Sequence, residues 1–299
     1  MSLMEVTMPR GYKDIDEAQR AGATLPEPKS LVVESPVVTA LLQNPTEDNV
    51  ALAFAERHSG EYAYLHGAGK WYRWDGMRWQ ADSMKQVLHD IRTLARIHNI
   101  DGKATPAKNS FINGVDNLSR TDPRFSRDAA DFDADNYLLN CPNGTYDLRT
   151  MALGSNNPRD CITKLTSTTP NSNGGAVFRQ FLSEITEDDD ELALFIQKSL
   201  GACLSGAVEE HWLLFWYGAG RNGKNTLGDM VMELMGDYAR AIPSATLMSQ
   251  KHQAHATEIM NLKGMRLVTS GEIEEGAHWA EAKIKELTGD GNLSGRFMH

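Results

Sequence analysis

The chain has 299 residues, of which 41% are hydrophobic and 23% charged, and a formal net charge of −10; this is ordinary globular composition, long enough for two or three domains around a real core. No apolar run approaches the ~20 residues of a membrane span and nothing at the N-terminus has the pattern of a secretory signal, so a cytoplasmic protein with no membrane partner is expected. The negative balance argues against a surface that binds nucleic acid everywhere but leaves room for a local basic channel, and neither the 3 cysteines nor the 9 histidines show zinc-ligand spacing.

Residues 1–46 are punctuated by Pro9, Pro26, Pro28, Pro36 and Pro45 and read as a leader or linker, with one short helix around Ile15–Ala21. Met1-Ser2-Leu3 ahead of Met4 has the form of an expression scar. A small α+β region is expected over 47–136. It opens with a helix over Asp48–His58, whose Val50, Leu52, Ala53 and Phe54 supply an apolar face. Lys70–Gln80 follows as a hairpin of two short strands meeting at an Asp75-Gly76 type I′ turn. Its Trp71, Trp74 and Trp79, interleaved with Lys70, Arg73 and Arg78, have the composition of a stacking platform for single-stranded nucleic acid. The simpler reading, which we prefer, is aromatic glue inside a small domain. A helix runs from Ser83 as N-cap through His98, with Val87, Leu88, Ile91 and Leu94 on one face, and another lies near Pro106–Leu118. Asp131, Asp133 and Asp135 alternate like a calcium loop, but Asp128–Asp135 lacks the glycine and terminal glutamate of one and reads as solvated loop.

A mostly helical region is expected over 137–208. Tyr137–Arg149 has the pattern strand, Asn143-Gly144 turn, strand. Helices follow over Phe178–Ile185 and Glu191–Leu204, the second with Leu192, Phe195, Ile196 and Leu200 on one side. The acidic run Glu187–Glu191 falls at that helix's N-terminus, where the helix dipole stabilises negative charge.

The most informative stretch begins at Trp212. Trp212-Leu-Leu-Phe-Trp-Tyr217 is an apolar run expected to form a strand, and it empties into Gly218-Ala-Gly-Arg-Asn-Gly-Lys-Asn-Thr226. Gly218, Gly220 and Gly223 let the backbone wind tightly so that N–H groups converge on phosphate oxygens, and Lys224 adds a mobile positive charge for the outer phosphates. Leu227, Met230, Val231 and Leu234 then recur at helical spacing, which places the loop at a helix N-terminus. A nucleotide-binding loop formed by Gly218, Ala219, Gly220, Arg221, Asn222, Gly223, Lys224, Asn225 and Thr226 is therefore expected. Asn225 stands where a Ser or Thr hydroxyl normally meets Mg²⁺; its amide oxygen is also a hard ligand, and Thr226 is the other candidate. About forty residues on, Met265-Arg-Leu-Val-Thr-Ser-Gly-Glu-Ile-Glu-Glu275 reads as a short strand that delivers Glu272, with Glu274 and Glu275 beyond it, to the metal and the attacking water.

Four stretches together resemble the helicase part of the phage and plasmid primase-helicases, relatives of the poxvirus primase-helicase within helicase superfamily 3. They are the tryptophan hairpin Gly69–Trp79, the Asn140–Arg149 segment, the Gly218–Thr226 loop, and Arg266–Gly289 with Glu272-Ile-Glu-Glu-Gly276 and Lys285-Glu-Leu-Thr-Gly289. The resemblance covers nearly everything after about residue 45. It implies an α/β fold: a P-loop AAA+-like core over 209–299, preceded by a helical collar over 137–208 and the small α+β region. It also implies ATP and Mg²⁺ as cofactors, single-stranded DNA as partner, assembly into a ring, usually a hexamer, and a primase-catalytic part on another segment or chain. The implied roles are Lys224 on the β- and γ-phosphates, Asn225 or Thr226 with Glu272 around Mg²⁺, and Glu274 orienting the attacking water. Lys285, Arg296 and His299 fall where the family contacts DNA, against the plainer reading of lysines that face solvent beside Glu281 and Glu286. Where the family commonly has Thr-Gly-Gly-Asp, this chain has Thr288-Gly289-Asp290-Gly291, the acid moved by one place. The family continues with a further strand ending in a polar sensor residue and then an arginine finger. The sequence reaches His299 before either, so an incomplete core, inactive in isolation, is expected. A non-catalytic DNA-loading or nucleotide-binding collar module is the alternative, and a small-molecule P-loop kinase a more distant one.

Overall fold

The computed structural model describes residues 4–5, 29–30, 37–39, 45–97, 105–171, 175–209, 211–218, 220–249, 262, 264–272 and 276–289. The helix expected at 15–21 lies outside them. The chain divides into two units, residues 1–59 with 83–126 and residues 60–82 with 127–299, and mixes helix and sheet.

The first unit is built on three helices, α1 (Glu47–Arg57), α2 (Gln86–Ile97) and α3 (Asn109–Arg120). Thr46 caps α1 by accepting from the Asn49 N–H at 3.1 Å, and Glu47 and Asp48 fill the first turn. Val50, Ala53 and Phe54 of α1 face inward together with Ile91 and Leu94 of α2 and Val115 of α3, while Leu52 is exposed. Helix α2 starts at Gln86, not at a Ser83 cap, because Lys85 takes a left-handed conformation at φ 56° that no helix continues through. After α3, Arg124 grips Asp122 with its backbone N–H and Nε at 2.9 Å each and an Nη at 2.7 Å, and reaches Glu56 of α1 at 3.1 Å. The hydrogen bond from Arg124 holds the Asp122 carboxyl below its ordinary pKa.

In the second unit, β1 (Tyr62–Leu65), β2 (Lys70–Trp74) and β3 (Trp79–Ala81) form an antiparallel meander with Tyr64 opposite Trp71 and Trp74 opposite Trp79. The β2–β3 turn is not a bare type I′ turn on Asp75-Gly76. Four residues, 75–78, separate the Trp74–Trp79 pair, and Asp75 Oδ1 accepts from the N–H groups of Met77 and Arg78 at 2.8 Å each. The tryptophans are glue: Trp71 and Trp79 are 7% and 5% exposed. Trp71 packs edge-on against Tyr62 and Tyr64, and Trp79 packs on Phe132 while its Nε1 donates to Pro158 O at 2.9 Å.

A second meander follows, β4 (Leu138–Cys141), β5 (Gly144–Asp147) and β6 (Ala152–Gly154). Its first turn is Pro142-Asn143, with Cys141 opposite Gly144, one residue earlier than the sequence suggests. Gly144 is needed in the strand itself: it sits at φ 142°, and a Cβ there would run into the Gly154 carbonyl of β6. Helices α4 (Ala176–Ile185) and α5 (Asp190–Ala202) come next, α5 capped by Asp189, which accepts from Glu191 and Leu192 N–H at 3.0 Å each. Then α6 (Lys224–Met235) leads into β7 (Ala239–Ile242), which pairs in parallel with β8 (Leu267–Ser270), and α7 (Glu281–Thr288) follows. Leu227, Val231 and Met235 of α6 share a core with Leu139 and Cys141 of β4 and with Tyr238; Phe181 and Ile185 of α4 and Ile196 and Leu200 of α5 pack around it. Leu234 is exposed, so the buried stripe passes through Met235 instead.

The expected strand Trp212–Tyr217 is not formed. The stretch has no ladder partner among the described residues, and Phe215 and Tyr217 are 58% and 90% exposed. An apolar run is only a candidate strand; the ladder needs a neighbouring backbone, and among the described residues the sheet of β7 and β8 stays two-stranded.

One residue ties this unit together. Asn140, 1% exposed, donates its side-chain N–H groups to Met77 O at 2.9 Å and Lys164 O at 3.0 Å. Its Oδ1 accepts from Thr145 Oγ1 at 2.9 Å and Asn156 Nδ2 at 2.7 Å, and its backbone N–H donates to the Tyr238 hydroxyl at 3.1 Å. Asn140→Ala therefore strands several buried polar groups, and we expect a loss of about 2–4 kcal/mol in urea unfolding; a loss under about 1 kcal/mol would show that the network is dispensable. A pH effect follows in the first unit. Asp122 has a folded pKa below its unfolded one, so its contribution is present above the ordinary carboxylate value of about 3.9 and is lost as pH falls below that through the folded value. Asp122→Asn should be less stable than the parent protein at pH 7, and the gap should shrink on acidification below about pH 4. A gap independent of pH in paired denaturation curves would contradict this.

Candidate functional site

The loop before α6 is wound by three residues at positive φ: Gly218 at 147°, Arg221 at 63° and Gly223 at 79°. Gly223 is the N-cap of α6 and offers no side chain, so the N–H groups of the first helical turn have no side-chain cap and are available to an anion. Lys224 opens the helix and bends back over the loop, its Nζ donating to Asn222 Oδ1 at 2.6 Å and Gly218 O at 3.3 Å. Asn225 and Thr226 stand exposed in the same first turn.

Two glycines of the loop have different reasons to be glycine. At Gly223 a Cβ would lie 2.5 Å from Ile185 Cγ2 and 3.2 Å from the Phe181 ring, so α4 presses directly on the loop. At Gly220 an added Cβ would meet nothing within 4 Å among the described residues beyond its chain neighbours. Phe181 and Ile185 are thus part of the loop's support, whereas the sequence alone predicts only a helix over Phe178–Ile185.

Topology sets the direction of the strands relative to α6. The short turn Gly236–Tyr238 doubles the chain back from α6 into β7, and β8 runs parallel to β7, so the N-terminus of α6 and the C-terminal ends of both strands share one end of the unit. Thr269 Oγ1 lies 3.4 Å from Met232 Sδ and sets the level of β8 on the helix. From Met232 back to Lys224 the helix rises about 12 Å. From Thr269 on to Glu272 an extended chain covers about 10 Å. Glu272 stands exposed two residues past the end of β8. No hydrogen bond or ion pair joins it to the loop among the described residues. Lys285 is exposed on α7, likewise without a bond to the loop among the described residues. Ala219, Glu274, Arg296 and His299 lie outside the described residues.

Behind the site, Arg266, just before β8, is half-buried. Its guanidinium donates to Leu204 O and, at 2.6 Å, to Leu138 O, and lies 4.3 Å over the Tyr238 ring. Burial pulls its pKa down and pushes the Tyr238 phenol up to about 12. The calcium-like aspartates each bond elsewhere: Asp131, exposed, accepts from Asp128 N–H, Asp133 from Thr163 N–H and Oγ1, and Asp135 from Tyr137 N–H and Arg149. Among the described residues no three His, Cys, Asp or Glu side chains group to hold a metal, and no helix is long and apolar enough to cross a membrane.

Residues 51–187 match the family model described as "D5 N terminal like". The chain is also 24% identical over 238 residues to a protein of Acanthamoeba polyphaga mimivirus named "Putative helicase L207/L206"; the aligned part is 75% of this chain and 24% of that protein. The chain thus spans about a quarter of the relative's length. The family match ends before the Gly218–Lys224 loop.

The contrast between the glycines is measurable. Gly223→Ala forces a left-handed alanine against Ile185 and should cost about 2–4 kcal/mol of stability, whereas Gly220→Ala should change it by less than about 0.5 kcal/mol. Equal losses in chemical denaturation would refute the packing of α4 on the loop.

Proposed function

We propose that this chain is the part of an ATP-dependent DNA helicase of the primase-helicase type that binds ATP and Mg²⁺, acting in phage or plasmid DNA replication within superfamily 3, with an AAA+-like core. The observation that carries the reading is the Gly218–Lys224 loop wound onto the uncapped N-terminus of α6, with Lys224 folded back over it. The family match over 51–187 and the likeness to a viral protein named as a helicase supply the DNA-replication context.

The residues present fit a nucleoside triphosphate. Backbone N–H groups at the uncapped start of α6 suit phosphate oxygens, and the Lys224 ammonium has the charge and reach for the outer ones. Asn225 or Thr226 and Glu272 would hold Mg²⁺, and Glu274 would orient water. When bound, the metal supplies charge neutralisation at the β- and γ-phosphates. The chain's own part is to orient the polyphosphate on the loop and to bring a carboxylate to it from the end of β8. Lys285, Arg296 and His299 are the proposed contacts to single-stranded DNA, and assembly into a hexameric ring belongs to the same proposal. A non-catalytic nucleotide-binding collar module would share the loop and differ by lacking turnover.

Removing the ammonium deletes a charge-assisted contact worth roughly 1.5–3 kcal/mol, so Lys224→Ala should weaken Mg²⁺–ATP binding at least about tenfold. Titration of labelled nucleotide against both forms decides it, and equal affinities would sink the nucleotide-site reading. In the same assay Asn225→Ser should bind as well as the parent or better, since a hydroxyl restores the common metal ligand. A large loss there would point to Thr226 as the ligand.

A further inference from the structure

Three residues of the loop close on one another. Lys224 Nζ donates to Asn222 Oδ1 at 2.6 Å and to Gly218 O at 3.3 Å. The Asn222 amide nitrogen lies so near Gly218 that a Cβ there would collide with it. Asn222 is half-buried, folded across the loop mouth between two left-handed residues, Arg221 at φ 63° and Gly223 at φ 79°. An arginine in that conformation costs free energy, and it persists only where neighbouring contacts over-determine it. The Asn222–Lys224 bond is such a contact.

We propose that Asn222 is a latch on Lys224, holding its ammonium on an internal amide oxygen from which an incoming polyphosphate must take it. The proposal rests on the nucleotide-site reading and adds a positioning residue that sets affinity through Lys224. An ammonium has three donors and no acceptor, and Asn222 and Gly218 occupy two of them. The amide oxygen is neutral and a phosphate oxygen is anionic, so the exchange favours phosphate. Each binding event nonetheless surrenders the Asn222 bond, and part of the affinity is spent on release. Without the amide only the Gly218 carbonyl, at 3.3 Å, holds the ammonium. With a carboxylate in its place the ammonium is held by an ion pair, and phosphate meets a like charge.

The test compares the parent protein with Asn222→Ala, Asn222→Asp and Lys224→Ala, with Asn222→Ser as a second short side chain should the alanine variant fold poorly. Competitive acylation read by mass spectrometry reports the Lys224 amine without any nucleotide, and titration with Mg²⁺–ATP and with inorganic tripolyphosphate reports binding. We expect Lys224 to acylate several-fold faster in Asn222→Ala, and both probes to bind that variant on the order of three- to tenfold more tightly. Asn222→Asp should bind both at least about tenfold more weakly, with the loss reduced at high salt. Unchanged acylation of Lys224 in the alanine and serine variants would overturn the latch whatever the binding data show. Faster acylation with weaker polyphosphate binding would also overturn it, since Asn222 would then be a phosphate donor. Faster acylation with no binding of either probe to parent or variant would bring down the nucleotide-site reading, and the latch with it.

Discussion

The buried amide of Asn140 is the constraint on which the second unit depends. A primary amide has two donors and an acceptor, and all are used: Met77 and Lys164 carbonyls on one side, Thr145 and Asn156 on the other. These partners come from the tryptophan hairpin turn, the second meander with the residues just past it, and the irregular segment around Lys164, while the Asn140 backbone reaches Tyr238 beyond α6. No apolar residue holds four chain segments at fixed orientation, because dispersion is not directional. A satisfied polar hub does so, and it makes any alternative packing costly because each partner would be left unpaired.

From that hub the position of the loop follows. Tyr238 ends the turn that reverses α6 into β7, and the adjacent Asp237 is fixed by Leu165, whose N–H it accepts at 3.0 Å, and by Arg78 of the hairpin turn. Gly236 at φ 54° allows the reversal, with Leu165 and Ser167 too close for any side chain. The C-terminal end of α6 is therefore pinned, and a pinned helix carries its N-terminus with it. At that other end Phe181 and Ile185 close on Gly223. Lys224 is located by packing at both ends of one helix, so its placement does not depend on the loop alone. Arg266 adds to this: a half-buried guanidinium stacked on the Tyr238 ring and bonded to carbonyls of two segments joins the start of β8 to β4.

What could be read from the sequence was local. Helices α1, α4, α5 and α6 lie within a few residues of expectation because their apolar spacing and caps are contained within each segment, as Thr46 and Asp189 show. Both hairpins were legible too, but their turns were not. At 75–78 the Asp75 side chain takes over the turn, and at 144 the glycine answers to Gly154 across the strand, a neighbour invisible along the chain. The start of α2 was missed for a similar reason, since a left-handed Lys85 has no composition signal. For the site, glycine spacing and Lys224 were readable, whereas Phe181, Ile185, Asn140 and Arg266 were not, because their importance is set by what folds onto them. The tryptophans illustrate the converse. Their alternation with cations has the composition of a binding surface, and only burial shows that Trp71 and Trp79 are interior.

The run Trp212–Tyr217 marks where pattern and structure part. Its hydrophobicity is that of a central strand, yet among the described residues it is attached by side chains only: Phe215 meets Trp279 edge-on at 5.4 Å, and Trp216 lies 3.8 Å from where a Gly228 side chain would begin. Backbone groups without a ladder exchange their hydrogen bonds with water, and half-exposed aromatics recover only part of their burial free energy. The stretch therefore has less holding it than α6, and the loop that follows inherits that asymmetry. Its far end is fixed by Gly223 against α4, and its near end, Gly218, follows the least anchored backbone of the site. In such a loop a bond from Lys224 back to Gly218 and Asn222 does more than fill donors: it ties the loosely held end of the loop to the fixed one.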